Sequence, residues 1–428
     1  MPESKIRVLV FPCGSEIGLE VFRSLKYSRH VELVGANSVD DHGKFVYTEY
    51  FGNIPFVDAP DFEEVFQKLI LEKNIDAVYP TMDQVISTLS EMGDRLHCKV
   101  LGSPKKTNRL ALSKSKTYQF FEGKIKTPEV YTSLDDIHAF PVFSKPDIGY
   151  GSRGTRILHS LEEAKKRKQQ HPEHLILEYL PGEEYTVDCF TDRFGKLLFV
   201  GPRKRGRIQK GISVNTTPAP ELLDEVNKFA QKINQEVELR GAWFFQVKKN
   251  QNGELSLLEF ATRLGGSSSL FRAKGINFAL MAIFDAFNYP VEANENSYGI
   301  ELDRALDQRF KFDFDYQNVY VDLDDCLILG DQINSDLVRF IYQSINKSKK
   351  IILITKHEKD LVDTLKKFRI SSLFDELIHL KKTQEKADFM QYDNAIFIDD
   401  SFAERKKVSL KLRIPVFAPD AVASLITD

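Results

Sequence analysis

Two short stretches of this 428-residue chain carry side chains whose types and spacing suggest reactions. Late in the chain, Val319-Tyr-Val321-Asp322-Leu-Asp324-Asp325 runs from an apolar strand into acids. At the carboxyl edge of a parallel sheet, such acids project where ligands bind. Asp322 and Asp324 are two residues apart and share a side of the backbone. One carboxylate could attack phosphorus while the other shuttles a proton, with Mg2+ (or Mn2+) offsetting their repulsion. An acidic turn that only caps a strand in solvent is the plain alternative. In the middle of the chain, Pro141-Val-Phe-Ser-Lys145-Pro-Asp-Ile-Gly149-Tyr-Gly151-Ser152-Arg-Gly154-Thr contains Gly-x-Gly-x-x-Gly. In a dinucleotide fold those glycines open a helix. Here Thr155 to Leu158 reads as a strand and helical spacing begins only near Ser160, which predicts a hairpin flap. Glycines in a flap let backbone amides approach phosphate oxygens, and Lys145 on the preceding strand would neutralise charge on the α and β phosphates. That chemistry suits ATP. A flexible surface hairpin with a solvated lysine is the competing reading.

More positions join this pattern. Ala-Leu-Ser-Lys114-Ser-Lys116 precedes the flap; Leu177-Glu178-Tyr-Leu180 and Gly-Glu-Glu184-Tyr-Thr-Val follow it; then come Gln246 and Leu257-Leu-Glu259-Phe-Ala261-Thr-Arg263. Over residues 1 to about 295 the chain thereby resembles ATP-grasp enzymes, particularly the branch of the carbamoyl phosphate synthetase large subunit. The resemblance implies that Lys114, or Lys116 in its place, and Lys145 bind ATP. It also implies that Gly149, Gly151, Ser152 and Gly154 cover the phosphates, that Glu178 to Leu180 meet adenine, and that Glu184 binds ribose. It makes Gln246 and Glu259 metal ligands and Arg263 a catalytic group. A carboxylate and an amide oxygen on neighbouring strands suit Mg2+, which bridges ATP phosphates, and an arginine can stabilise a phosphoryl group in transfer. Ala261 departs from the family, which usually has an asparagine there; a second metal would then need a ligand from substrate, water or Glu254. The family converts a carboxylate to an acyl phosphate that an amine or similar nucleophile attacks. Arg203-Lys-Arg-Gly-Arg207 would hold an anionic substrate or form an exposed loop, and Gly265-Gly-Ser-Ser-Ser269 would offer amides and hydroxyls to the acyl acceptor or be a flexible turn.

Downstream of Asp322 and Asp324, Thr355 follows the apolar run to Ile354, Lys386 precedes a helical segment, and Asp399-Asp400 follow Ala395 to Ile398. This order resembles the motifs of haloacid dehalogenase (HAD)-like phosphotransferases. The resemblance implies nucleophile Asp322, acid/base Asp324, phosphate-binding Thr355, charge-neutralising Lys386, and metal-binding Asp322, Asp324, Asp399 and Asp400. In a bacterial receiver domain the lysine comes last, whereas here it precedes the final acids. Cys326 stands where the family commonly has threonine, and Lys382 competes with Lys386. Short connections leave no room for a cap domain, so an open site for a phosphate ester is expected.

The elements that must position these groups follow from patterning. Apolar runs alternate with amphipathic stretches from Val8 to Tyr79, the rhythm of strand-helix units on a parallel sheet. Gly14-Ser-Glu-Ile-Gly18 after the first strand reads as a tight turn. The expected architecture is multidomain, α/β and α+β. It comprises a Rossmann-like pre-ATP-grasp domain over 1–105, an antiparallel-sheet ATP-grasp domain over 106–295, a linker at 296–316, and a doubly wound HAD-like domain over 317–428. With 42% hydrophobic and 28% charged residues and no long apolar run, a cytoplasmic multidomain enzyme without a membrane partner is expected. A net charge of -3 gives nucleic acid no general attraction. The four cysteines are scattered, without metal or disulfide spacing. The leading expectation is an ATP- and Mg2+-dependent ligase joining a small carboxylate and an amine, fused to a phosphatase, with a homodimer as the assembly to test. The alternative is a metabolite phosphatase whose ATP-grasp part senses nucleotide without ligating.

Overall fold

The computed structural model describes residues 5–149, 151, 153–209, 211–310 and 312–427. The chain divides into two compact units, Met1–Leu306 and Asp307–Asp428.

The first unit begins with β1 (Ile6–Phe11), α1 (Glu16–Leu25), β2 (Val31–Ala36), α2 (Gly43–Val46), β3 (Glu49–Phe51), α3 (Phe62–Glu72), β4 (Ala77–Pro80), α4 (Asp83–Met92) and β5 (Lys99–Val100). Helix α1 forms because Ser15 caps its start, accepting a hydrogen bond from Gly18 N, while Ile17, Val21 and Leu25 recur on one buried face. The strands form a parallel sheet in the order β3-β2-β1-β4-β5. The chain leaves β1 in one direction for β2 and β3 and later returns to β4 on the other side. That reversal opens a crevice at the carboxyl ends of β1 and β4, where sheets of this kind bind ligands. A Cβ at Gly14 would overlap the Asp41 carboxylate, so glycine lets that side chain lie against the turn.

Helices α5 (Lys105–Leu112) and α6 (Lys114–Phe121) lead to β6 (Val142–Pro146), β7 (Arg156–Leu158), α7 (Leu161–Gln170) and β8 (His174–Glu178). Strands β7, β6 and β8 make a small antiparallel sheet. The glycine segment thus joins two paired strands, and α7 starts after its cap, Ser160. Next come β9 (Glu184–Thr191), β10 (Leu197–Gln209), β11 (Ile212–Pro218), α8 (Leu223–Glu236), β12 (Gly241–Lys249), β13 (Leu255–Ala261), α9 (Ser269–Ala273), α10 (Phe278–Ala286) and β14 (Leu302–Asp303). They build an antiparallel sheet in the order β13-β12-β9-β10-β11-β14. One core joins this sheet to the parallel one, with Val8 and Val10 packing in a cluster with Phe190, Phe199, Phe271 and Phe278. Each such side chain contributes roughly 1.5–3 kcal/mol by leaving water. Strand β14 lies inside the segment 296–316, which the sequence leaves without a period. Its two residues pair with Asn215 and Thr216, so contacts with the long β11 decide its conformation rather than local patterning.

The second unit contains β15 (Asn318–Val321), a short hairpin of β16 (Ile328–Leu329) and β17 (Gln332–Ile333), α11 (Ser335–Asn346), β18 (Lys350–Thr355), α12 (Leu361–Lys367), β19 (Glu376–His379), β20 (Ala395–Ile398), α13 (Phe402–Leu412) and β21 (Val416–Phe417). Asn334 caps α11, and Leu337, Phe340, Ile341 and Ser344 line its buried face. The main sheet is parallel in the order β19-β18-β15-β20-β21. Its reversal point lies between β15 and β20. No helix among the described residues is long and apolar enough to cross a membrane.

Candidate functional site

In the first unit, the expected phosphate-facing groups converge where α6, β6 and β13 meet. Ser113 caps α6 and donates a hydrogen bond from Oγ to Asp147 at 2.8 Å; Ser115 N donates to the other Asp147 oxygen at 2.7 Å. Burial works against this carboxylate, but those donors hold it below the usual range. Lys114, first residue of the helix, is thereby set against the hairpin. Its Nζ donates to Gly149 O at 3.1 Å and lies 3.8 Å from Glu259 Oε2. Lys145, also buried, donates to the Tyr118 hydroxyl at 2.5 Å and to Leu258 O at 3.3 Å. Burial pulls Lys145 down to about 8, Lys114 adds to the effect, and Glu259 and Glu184 oppose it. Tyr118, whose hydroxyl donates to Leu258 O at 2.6 Å, has its pKa pushed up by burial. Lysines held apart from water beside a carboxylate form a preorganised place for phosphate charge.

Gly151 (φ 63°) and Gly154 (φ 74°) adopt backbone conformations that favour glycine, so the hairpin needs them for its shape. Ser152 lies outside the described residues. Glu178 ends β8, where its Oε2 accepts from Glu129 N, and Leu180 is buried just beyond. Glu184 opens β9 and is ion-paired to Arg205. Gln246 and Glu259 are direct partners in the pairing of β12 with β13, so an amide oxygen and a carboxylate stand side by side. That donor set suits a hard cation. Glu254 does not share the place: it belongs to the turn before β13, five residues and therefore about 16 Å along the strand from Glu259, and it binds Lys126 and Asn250. Ala261 is buried opposite Phe244.

Arg263 is held by a residue that sequence reading missed. Its Nε and NH2 groups donate to the two oxygens of Asp83 at 2.8 and 2.9 Å, and NH1 donates to Leu264 O at 3.1 Å. Asp83 starts α4 beyond β4, at the crevice of the parallel sheet. Glu16, beyond β1, pairs with Arg304. Position at that reversal point is the signal that could have singled out both acids. The Gly265–Ser269 segment is a buried turn rather than a flexible one: Ser267 and Ser268 are nearly inaccessible, and Ser267 Oγ donates to Ser213 O at 2.8 Å.

The basic run Arg203–Arg207 is neither an exposed loop nor a set of unengaged cations, because it lies within β10. Arg203 donates from Nε to the buried Asp188 at 2.6 Å, Lys204 pairs with Glu183, Arg205 with Glu184, and Arg207 with Asp303 at 2.8 Å. Alternation along the strand buries Arg203 and exposes Lys204. Arg203→Leu should destabilise the first unit by about 3–5 kcal/mol by stranding a buried carboxylate. Adding Asp188→Leu should restore most of the loss, as read by urea unfolding.

In the second unit, three of the expected groups sit where parallel strands end. Asp322 follows β15, Thr355 ends β18 and Asp399 follows β20. Lys386, in a short 3-10 turn (Lys386–Asp388), reaches between the acids and donates to Asp322 Oδ1 at 2.5 Å and Asp399 Oδ2 at 2.6 Å. All four residues are buried. Burial raises the pKa of Asp322, Asp399 reinforces the shift, and Lys386 opposes it. For Lys386 burial is outweighed by the two carboxylates, and its pKa rises. Lys382, the competing lysine, is exposed and paired with Glu358. Asp322, Asp399 and Asp400 can each bring an oxygen within 4.8 Å of the others, a donor set that fits a hard divalent cation. Asp324 is outside that set: its carboxylate meets His357 Nδ1 at 2.9 and 3.0 Å, and His357 Nε2 meets Thr364 Oγ1 at 2.9 Å. His357, two residues past Thr355, was missed; its place after a strand end among acids was the available signal. Cys326 is buried, its thiol pushed up by burial and its Sγ directed to Ile398 O, so it serves packing. Between β15 and β20 the described residues include no cap domain, only the β16-β17 hairpin and the elements of the sheet fold.

Residues 170–304 match the family model described as ATP-grasp in the biosynthetic pathway with Ter operon. A D-alanine–D-alanine ligase from Fusobacterium nucleatum is 30% identical over 158 residues, covering 35% of this chain and 55% of that protein. The alpha3 subunit of a biotin-dependent acyl-coenzyme A carboxylase from Mycobacterium leprae is 26% identical over 162 residues, 32% of this chain and 27% of that one. The chain thus spans about half or less of the curated relatives it matches. Among solved structures, the biotin carboxylase domain of Hydrogenobacter thermophilus 2-oxoglutarate carboxylase, crystallised with MgADP, ADP and bicarbonate, aligns with TM-score 0.58 at 16% identity, over 69% of this chain and 72% of that one. N5-carboxyaminoimidazole synthetase from Staphylococcus aureus, complexed with ADP, aligns with TM-score 0.57 at 13% identity, over 68% and 80%. An L-amino acid ligase from Bacillus licheniformis aligns with TM-score 0.55 at 14% identity, over 68% and 76%. The three solved structures show a shared mixed α/β fold over about 69% of this chain.

Proposed function

We propose that the first unit is an ATP-grasp ligase that uses ATP to activate a small carboxylate for attack by an amine. The observation that carries this reading is the Lys114, Lys145 and Glu259 cluster, in which a buried lysine of lowered pKa faces a carboxylate beneath a glycine hairpin. The family match over 170–304 and the ligase and ADP-bound relatives support it. Lys114 and Lys145 would hold the phosphates, the hairpin amides of Gly149, Gly151 and Gly154 would cover them, Glu178 to Leu180 would face adenine, and Glu184 the ribose. Gln246 and Glu259 would hold Mg2+, which supplies charge neutralisation at the phosphates. A carboxylate oxygen of the substrate attacks the γ-phosphorus and ADP leaves. The amine then attacks the acyl carbon, phosphate departs with the C–O bond, and the amine loses a proton. Arg263, oriented by Asp83, would meet the transferred phosphoryl group.

For the second unit the reading is a HAD-like, capless phosphatase acting on an accessible phosphate ester. Asp322 attacks phosphorus, the ester oxygen leaves with a proton from Asp324, and water then hydrolyses the aspartyl phosphate as Asp324 takes a proton back. Thr355 and Lys386 hold phosphoryl oxygens, and Asp322, Asp399 and Asp400 would hold the Mg2+ that offsets the charge. The His357 contact gives Asp324 an orienting partner. Phosphate release from an aryl phosphate, abolished by Asp322→Asn, tests this half; turnover unchanged in that variant would remove it.

Glu259→Gln should raise the Mg2+ concentration needed for half-maximal ADP release by about tenfold or more, read in a coupled ADP assay. One observation favours the second reading, a nucleotide-sensing first unit attached to a phosphatase. Ala261 supplies no metal ligand beside Glu259. Under that reading ATP binds and changes phosphatase turnover, with no ADP formed when carboxylate and amine are added.

A further inference from the structure

We propose that His171, Glu173 and His174 bind a divalent transition-metal ion of the Zn2+ class at the root of the glycine hairpin. The three residues form the turn from α7 into β8, and their ligand atoms lie within 4.8 Å of one another. His171 Nδ1 and His174 Nε2 lie 3.5 and 3.4 Å from the same oxygen, Glu173 Oε1. A charged hydrogen bond between such groups would draw them to about 2.7–2.9 Å. Ligands bonded to one tetrahedral Zn2+ at about 2.0–2.2 Å stand about 3.3–3.5 Å apart along the tetrahedron's edges. The two spacings from Glu173 Oε1 match those edges, and the third pair of ligand atoms lies within 4.8 Å.

The surroundings fix the ligands. His174 is buried, and its remaining nitrogen, Nδ1, faces Ser144 Oγ at 3.3 Å, leaving Nε2 directed at Glu173. A metal-binding histidine ordinarily has its second nitrogen held in this way. The His171 ring stacks on His174 with centroids 4.6 Å apart. Lys168 Nζ donates to Pro172 O and His174 O, both at 2.7 Å, pinning the turn. The other adjacent cation, Arg167, is directed to Ser144 Oγ and Gly154 O, away from the carboxylate. Two imidazoles and one carboxylate favour Zn2+, Cu2+, Ni2+ or Co2+ over Mg2+, and exposure of His171 and Glu173 leaves the fourth position to solvent.

The place gives the site a use. Ser144 and Lys145 are consecutive on β6, so the ion and Lys145 occupy opposite faces of the small sheet. Gly154 lies alongside, where an added Cβ would come into van der Waals contact with His174 Cε1 at 3.4 Å. An ion here therefore fastens β8 and α7 beneath both limbs of the hairpin. The site stands on its own geometry and holds whether or not the first unit ligates.

The test is a Co2+ titration of the chelator-stripped full chain in excess Mg2+. The expected result is a saturable visible spectrum of four-coordinate Co2+, displaced by Zn2+. It should weaken at least 100-fold in His171→Ala and Glu173→Ala, whose exposed positions spare the fold, and persist in Asp322→Asn and Glu259→Gln. Zn2+ should also slow amide exchange over residues 156–158 in the unmodified chain and leave His171→Ala unchanged. A Co2+ spectrum that is absent, or equally strong in His171→Ala and Glu173→Ala, overturns the site. Unchanged exchange overturns its grip on the hairpin.

Discussion

Lys386→Met is expected to destabilise the second unit by about 3–5 kcal/mol and to eliminate its phosphatase turnover. Lys386 is the cation between two buried carboxylates, 2.5 Å from Asp322 and 2.6 Å from Asp399. Without it, those acids must separate, admit water or share a proton. The folded variant then holds a proton that the unfolded chain gives up near pH 4. Its residual stability should therefore be greatest at acid pH and fall as pH rises toward 7, because the folded state binds more protons than the unfolded one. Amide exchange at Val319–Val321, in the strand before Asp322, should quicken by roughly 10²- to 10³-fold. Pairing the change with Asp322→Asn and Asp399→Asn should recover stability but not turnover. Native exchange rates in Lys386→Met would show that the buried charges are neutralised in another way.

Lys145→Met should weaken ATP binding by about 100-fold, near 2.7 kcal/mol, since it removes a buried lysine held against Leu258 O of β13. Its pH dependence is more diagnostic than its size. Burial sets Lys145 at about 8 in the free protein. Bound phosphates would raise that value, so ATP affinity should be flat below pH 8 and fall by up to about tenfold per unit above it. Stability moves in the opposite direction. The unfolded lysine binds its proton up to about pH 10.4, so its contribution to folding improves as pH rises from 8 toward that value. Calorimetric titrations between pH 6.5 and 9.5 separate the two effects, and the methionine variant should lose this slope. A slope retained by Lys145→Met would assign the titration to another group.

Residues fixed by strand ends were the most legible. Asp322, Thr355 and Asp399 each follow an apolar run, and a parallel sheet gathers such ends at one edge whatever the intervening loops do. Lys386 was harder, because a 3-10 turn rather than a strand delivers it, and only burial separates it from Lys382. The hairpin around Gly151 and Gly154 could be read because two strand patterns flank it. Asp83 and Arg263 could not be paired from sequence: 180 positions apart, they meet only because β4 and β13 end on the same crevice. Tyr118 drew no notice in the sequence, and its hydroxyl gains meaning only when β13 brings Leu258 O within 2.6 Å. The run Arg203–Arg207 looked cationic in one dimension, but cross-strand neighbours place a carboxylate against each cation. Helical and strand periods report local faces, while charge pairing across sheets depends on a register that those periods leave open.

Transfer of oxygen from substrate to phosphate tests the central claim most directly. The full chain is incubated with Mg-ATP, an amine mixture and a pool of small carboxylic acids labelled with 18O in the carboxylate, and the inorganic phosphate is weighed by mass spectrometry. Activation through an acyl phosphate predicts one 18O atom per phosphate released with ADP, and none in Lys145→Met. ADP released with unlabelled phosphate, or ATP bound without any ADP formed, would contradict the account.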